Sequence, residues 1–582
     1  MSSEAKAPIG TVEAALARAA NILIRDPAQA EAQIREILRA FPEHPYALRL
    51  LGAALRRQGE TAAAEEAYLR SVKGSVQDAE MIAAANALVD NRLAYAEQML
   101  CARLEARPGD AAAIRMLAET KMRLGLQDEA EALLARCIEL APGFTPVRHN
   151  YAALLHRRGK AAETLAQLDA LLAGDPEHPA YLSLKAAALA GTGEHETAIR
   201  LFAQVLAAHP RRPRTWMGYG HALRAAGRRA EAVDAYRRSL ALAPGLGEAW
   251  WGLTNLGAGV TPDDVAAMEV QLARLDLSEE DRVHLHFALG RAHEAGGRYE
   301  EAFRSYAEGN AQRKYELAYD PEETSAKVRR CKALLTADVL AARPGQGAPA
   351  PDAIFIVGMP GAGAALVAQI LSGHSQVEAV VQPPDLMGLV RGLGGGPDYP
   401  DIAAGLSPDD LRALGEAYLS EARRRAGLGR PFFVDAAPEN WTRLGLILPA
   451  LQHARIIDVR RHPLACAVAA FRQPVAEGAG FTCDLEHLGR AHADYVALMA
   501  HLDAVAPGRV HRVIHERLAA EPEVEIRRLL DHCGLAFEVG CLRPCEDETA
   551  DEGLWRSYHP WLGPLKAALG PVLDAYPAAP AA

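Results

Sequence analysis

Residues 355–366 read FIVGMPGAGAAL, and how this stretch is read decides the architecture of the second half of the chain. A short apolar, β-branched run, AIFIVG, enters a glycine turn, and ALVAQILSGH follows with the pattern of a helix. Two further buried strands are each followed by helical sequence, ARIIDVR before RHPLACAVAAFRQ and RVHRVIHE before EPEVEIRRLLDHCG. Strands that alternate with helices predict a parallel α/β sheet. In such a fold a strand, a glycine turn and a helix N-terminus make an anion site, because unbonded backbone N–H groups and the helix dipole point to one spot. As a Walker loop the stretch fails. Gly358 and Gly363 have the glycine spacing, but Ala364 and Ala365 stand where Lys and Ser or Thr would hold phosphate and metal. ATP or GTP hydrolysis is not expected.

Outward from this loop, the preceding segment RPGQGAPAP is a Pro/Gly/Ala linker that places a domain boundary near 345–351. Further upstream the sequence changes character. Pro108, Pro142, Pro176, Pro210 and Pro244 recur every 34 residues, the period of tetratricopeptide units, each made of two antiparallel helices. In RTWMGYGHALRAAGRRAEAVDAYRRSLALAP, Trp216, Tyr219 and Gly220 fall on a first helix and Ala232, Tyr236 and Ser239 on a second. This repeat resembles the tetratricopeptide consensus closely. Weaker copies carry Leu51, Gly52, Ala64 and Tyr68, then Leu117, Ala130 and Leu134, then Ala198 and Phe202, and finally Leu289, Gly290, Ala302 and Tyr306. Residues 79–107 are helical in pattern but depart from the consensus. The expected organisation is a repeat solenoid over 11–315, a helical connection and linker over 316–350, and an α/β domain over 351–582.

With 582 residues and a net charge of −11, the chain is long enough for several cores and too acidic for a dedicated nucleic-acid or anionic-membrane protein. No window has the apolar length of a membrane span, and the N-terminal MSSEAKAPIGTVEAALARAA lacks a basic segment followed by an apolar run, so the cytoplasm is the expected compartment. The eight cysteines are scattered without a CxxC pair, and no metal site is expected. A stacked repeat array presents a concave face that holds a peptide or protein partner. Arg211, Arg212, Arg214, Arg224, Arg228, Arg229, Arg237 and Arg238 make one repeat unusually basic. That stretch reads either as a solvated outer face or as a docking place for an acidic partner. Trp216 and Trp250 occupy packing positions of the repeat and are expected in its core.

Taken together, the repeats followed by IFIVGMP, FVD-x2-PEN, ARII-x-VRR-x-PL and W-x2-Y-x-P-x-LGPL resemble the bacterial repeat-containing sulfotransferases. The second domain of that family is similar to tyrosylprotein sulfotransferases. The resemblance covers nearly the whole chain and implies a tetratricopeptide solenoid followed by an α/β, P-loop-like sulfotransferase domain with a parallel sheet. It also implies transfer of sulfonate from 3′-phosphoadenosine 5′-phosphosulfate to a hydroxyl, often a protein tyrosine, without a metal.

Carried over position by position, the framework matches and the chemistry departs. The family loop GMPRSGTTL binds the phosphosulfate through Arg, Ser and Thr, whereas Gly361, Ala362, Ala364 and Ala365 stand there in this chain. The family's general base is a Glu, aligned here with Gln382, and its leaving-group Lys is aligned with Ala436. In the 3′-phosphate segment Arg461 and Pro463 persist, Ala469 replaces a Ser, and His462 and Ala465 replace two Asp. A loop before Trp555 is shortened. The vestigial nucleotide contacts are therefore Gly358, Gly363, Ala364, Ala365 and Arg461. No cofactor is expected unless the domain is active. The sequence reads as a partner-binding scaffold whose second domain has lost catalysis, and the alternative is an active sulfotransferase drawing on Arg460, Arg461, Arg455, His462 or His374 as substitutes.

Overall fold

The computed structural model describes residues 11–257, 260–341, 345–380, 383–393, 399–475, 478–546 and 553–578. They fall into two compact units divided between Pro210 and Arg211.

The first unit is a succession of antiparallel helix pairs from Val12–Leu23 to His195–Ala208. The turns inside successive pairs need a residue at positive φ, and Gly125, Gly159 and Gly193 supply it at +78°, +70° and +89°. These glycines therefore keep the same 34-residue period as the prolines. The consensus has a steric cause that recurs in both units. A Cβ on Gly52 would lie 2.7 Å from the ring of Tyr68, one on Gly220 2.7 Å from Tyr236, and one on Gly290 2.4 Å from Tyr306. In each case a glycine on the first helix makes room for a buried tyrosine sixteen residues later on the second. The off-consensus pair Ala79–Val89 and Leu93–Ala106 folds around a polar tie instead. Buried Arg103 pairs with Asp110 at 2.8 Å and Glu80 at 2.9 Å.

The second unit begins with more repeat helices: Pro213–Ala225, Arg229–Leu242, Gly247–Asn255, Pro262–Leu272, α1 (Glu279–Ala295) and α2 (Tyr299–Leu317). Trp250 is buried as its repeat position requires and donates Nε1–H to the Pro244 carbonyl at 2.8 Å. Trp216 is only half-buried, and the Arg238 guanidinium lies over its ring at 4.8 Å. The arginines of this repeat do not make one patch. Arg211, Arg212 and Arg214 stand at the start of the first helix, and Arg224, Arg228 and Arg229 at its other end. Arg237 is engaged by Asp264, Arg228 by Glu231 at 2.7 Å and Arg238 by Asp234 at 3.1 Å.

Among the described residues seven parallel strands follow: β1 (Ala348–Pro349), β2 (Ala353–Gly358), β3 (Val377–Ala379), β4 (Phe432–Asp435), β5 (Leu451–Gln452), β6 (Arg455–Arg460) and β7 (Val510–Ile514). β1 pairs with β5, while the main sheet has the order β3-β4-β2-β6-β7. β2 and β6 align with Ile354 opposite Arg455 and Gly358 opposite Val459. The unbroken apolar run of β2 follows from burial on both faces, whereas β6, buried from Ile456 to Arg460, carries the charged Asp458 and Arg460 inside. The helices that concern the site are α3 (Ala364–Ser372), α4 (Pro408–Ala426), α5 (Pro463–Phe471) and α6 (Leu485–Val505). The last repeat packs on α5: Phe303 stacks between Phe471 and Trp561 at centroid distances of 5.8 and 5.3 Å, and Asn310 donates to the Phe471 carbonyl at 2.8 Å. No described helix is long and apolar enough to cross a membrane.

Candidate functional site

The chain lays down β2, crosses to one side for β3 and β4, then to the other for β6 and β7, so the topology reverses between β2 and β6. Ligand sites of open α/β sheets lie beyond the carboxyl ends of the strands at such a point. Here a cleft of about 490 Å³ opens there. The loop Gly358–Leu366 forms its floor, Ala436–Pro438 after β4 one wall, and Arg461 with Ala469, Ala470 and Gln473–Val475 the other.

Seven of the eight positions singled out in the sequence meet in this cleft: Gly358, Gly361, Gly363, Ala364, Ala365, Ala436 and Arg461. The eighth, Gln382, lies outside the described residues.

The glycines are held by sterics. Gly361 has φ +89°, and a Cβ there would sit 2.4 Å from the Cys466 carbonyl oxygen and 3.0 Å from Ala469 Cβ. Gly363 is the N-cap of α3 at φ +103°, where a Cβ would meet His515 Nδ1 at 2.9 Å. Gly358 abuts the Val459 carbonyl at 2.9 Å in the same sense. The loop is thus closed to a side chain at 361, the position where the resemblance places an arginine.

The Ala436 wall is built as firmly. Asp435, fully buried at the end of β4, accepts hydrogen bonds from Tyr418 Oη of α4, from the Ala437 N–H at 2.8 Å and from Asn440 Nδ2 at 2.8 Å. Burial raises its pKa, and these donors oppose the rise. FVD-x2-PEN therefore forms a turn scaffold, with a methyl group at 436, the position where the resemblance places a lysine.

On the third side, the His462 N–H donates to Glu516 at 2.8 Å, the other Glu516 oxygen accepts from Tyr576 at 2.6 Å, and the His462 ring stacks on Trp555 at 4.9 Å. Burial lowers the His462 pKa, which keeps the ring neutral. Arg461 is half-exposed and donates to the Gly361 carbonyl at a long 3.4 Å. Cys466, below the loop, bonds the Pro360 carbonyl at 3.2 Å, and burial pushes its thiol up to about 12, so it is not a nucleophile at neutral pH.

The other substitute cations named from the sequence go elsewhere. Arg460 is buried against Asp458 at 2.9 Å. Arg455, at the amino end of β6, bonds the Pro351 carbonyl and lies over Phe432. His374 closes a turn, with Nε2–H on the Ala536 carbonyl at 2.9 Å and Nδ1 accepting from the Gln376 N–H at 3.1 Å. Among the described lining residues Arg461 is the one ionisable group, and none can take a proton from a hydroxyl. No three described His, Cys, Asp or Glu side chains converge as metal ligands. Sequence reasoning missed the lining by Gln473–Val475, Ala479 and Thr482, which carry no motif, and the orienting pair Glu516–Tyr576, whose members lie 60 residues apart.

Residues 351–539 match the sulfotransferase family, and residues 24–79, 127–188 and 189–256 match tetratricopeptide repeats. An uncharacterized protein of Aquifex aeolicus (strain VF5) is 28% identical over 332 residues, 52% of this chain and 44% of that protein. The chain thus spans less than half the length of that relative. Among solved structures, a tetratricopeptide repeat protein from Parabacteroides merdae shares 17% identity, with 40% of this chain and 91% of that one covered at a TM-score of 0.34. MamA from Desulfovibrio magneticus RS-1, residue 41 to its end, shares 19%, with 28% and 97% covered at 0.25.

Proposed function

We propose that the chain is a repeat scaffold that binds a protein or peptide partner, and that its sulfotransferase-family domain no longer transfers sulfonate. Stacked repeats offer an extended concave surface suited to such a partner. An acidic partner would be received at the two arginine groups on the repeat around Trp216. The loss of catalysis is carried by one observation: at the strand ends where a sulfonate donor would sit, the lining positions 361, 364, 365 and 436 hold only Gly and Ala. Charge-assisted hydrogen bonds contribute about 1.5–3 kcal/mol each. Three lost contacts therefore weaken nucleotide binding by roughly three to six orders of magnitude. A missing positioned base removes a further ~10²–10⁴ in rate, and the missing cation removes stabilisation of the charge that develops on the leaving oxygen.

The test is calorimetry of 3′-phosphoadenosine 5′-phosphate with the full chain. The expected result is no heat of binding at millimolar nucleotide. The triple variant Ala364→Thr, Ala365→Thr, Ala436→Lys is expected to gain weak binding, because all three positions line the cleft. Gly361→Arg is expected to gain nothing and to lower the melting temperature, since its Cβ collides with backbone at positive φ. Micromolar binding by the unaltered chain would overturn the reading in favour of an active sulfotransferase.

A further inference from the structure

We infer that the cleft over the β2–α3 loop binds a singly charged organic anion with an apolar body, of which a medium-chain carboxylate is the simplest example. The inference deepens the preceding one and rests on it, because it assigns a different ligand to a site that nucleotide has left.

Three features point to this chemistry. The first is size: about 490 Å³ lies within the roughly 300–1,000 Å³ of small-molecule pockets. The second is the walls. Ile356, Met359, Leu366 and Val475, with the alanines of both walls, leave a mostly apolar surface that favours a hydrocarbon over a ribose or a second phosphate. The third is charge. Arg461 has no carboxylate partner among the described residues, and its one hydrogen bond is the long contact to Gly361. Arg460 and Arg512, also at the sheet, each hold Asp458 at 2.9 Å. A planar guanidinium at the mouth of an apolar cleft is matched by one carboxylate, taken in a forked pair. A bisphosphate would bring several charges to a single cation. The first turn of α3 faces the same space and adds to the preference for an anion without creating it.

The experiment is calorimetry of the full chain with octanoate, hexanoate and octylamine. Octanoate is expected to bind about fifteenfold more tightly than hexanoate, since each of its two extra methylenes, once buried, is worth roughly fourfold. Octylamine, with the opposite charge, is expected not to bind. Arg461→Gln is expected to weaken octanoate by about tenfold or more. Ala365→Phe, which fills the cleft from an exposed helix position, is expected to abolish binding without changing the melting temperature. Silence with octanoate, equal heats with octylamine, or binding indifferent to both substitutions overturns the inference. If 3′-phosphoadenosine 5′-phosphate is silent too, only this inference falls. Micromolar binding of that nucleotide removes the reading beneath it as well.

Discussion

Alanine in place of Glu294 is expected to destabilise the unit formed by Arg211–Ala582 by about 3–5 kcal/mol. Glu294 ends α1, and its side chain is only 10% exposed. It accepts from the Arg472 guanidinium just beyond α5 and from Tyr558 Oη at 2.6 Å. Arg472 is itself 7% exposed, so removal of the carboxylate takes a charge partner away from a desolvated guanidinium. That cost, rather than the worth of the pair, sets the magnitude. Glu294→Gln keeps an acceptor for Tyr558 and is expected to cost less. All six tryptophans lie beyond residue 210, so their fluorescence during urea unfolding of the full chain reports this unit alone. A loss under 1 kcal/mol would show that the last repeat and the α/β domain do not depend on this contact.

Asp458→Ala is expected to have a comparable effect from inside the sheet. Asp458, on β6 and 0% exposed, accepts from Tyr495 Oη of α6 and from Nε of both Arg460 and Arg512 at 2.9 Å. Arg460 is 4% exposed and cannot turn to water when its partner goes, so about 3–5 kcal/mol is expected here too. Arg460→Met in the same chain should return most of the loss, because an apolar side chain of similar length needs no counter-charge. A double variant no more stable than Asp458→Ala would show that the aspartate acts through Tyr495 or Arg512 instead. The urea midpoint by tryptophan fluorescence decides between them.

Much of the architecture was legible in the sequence because it is written in local signals. The glycine and tyrosine sixteen residues apart are a local steric pair, and the turn glycines repeat with the prolines. The strand, turn and helix at 353–372 are contiguous, and the parallel sheet follows from the alternation around them. The floor of the cleft was also legible, since seven of the singled-out positions meet there. What could not be read is long-range. Glu294 and Arg472 are 178 residues apart, and neither sits in a motif. The arginines of one repeat look like a patch in sequence, but two ends of a helix separate them in space. That Gly361 is sterically closed, rather than merely lacking a side chain, depends on a carbonyl contributed by Cys466 more than a hundred residues later.

The most direct measurement is turnover: conversion of 3′-phosphoadenosine 5′-phosphosulfate to the bisphosphate by the full chain, with a tyrosine peptide flanked by acidic residues as acceptor. Release at the rate of buffer alone, unchanged by Arg461→Gln, is the predicted result. Release that saturates with donor, depends on the acceptor and falls in Arg461→Gln would contradict a domain without catalysis.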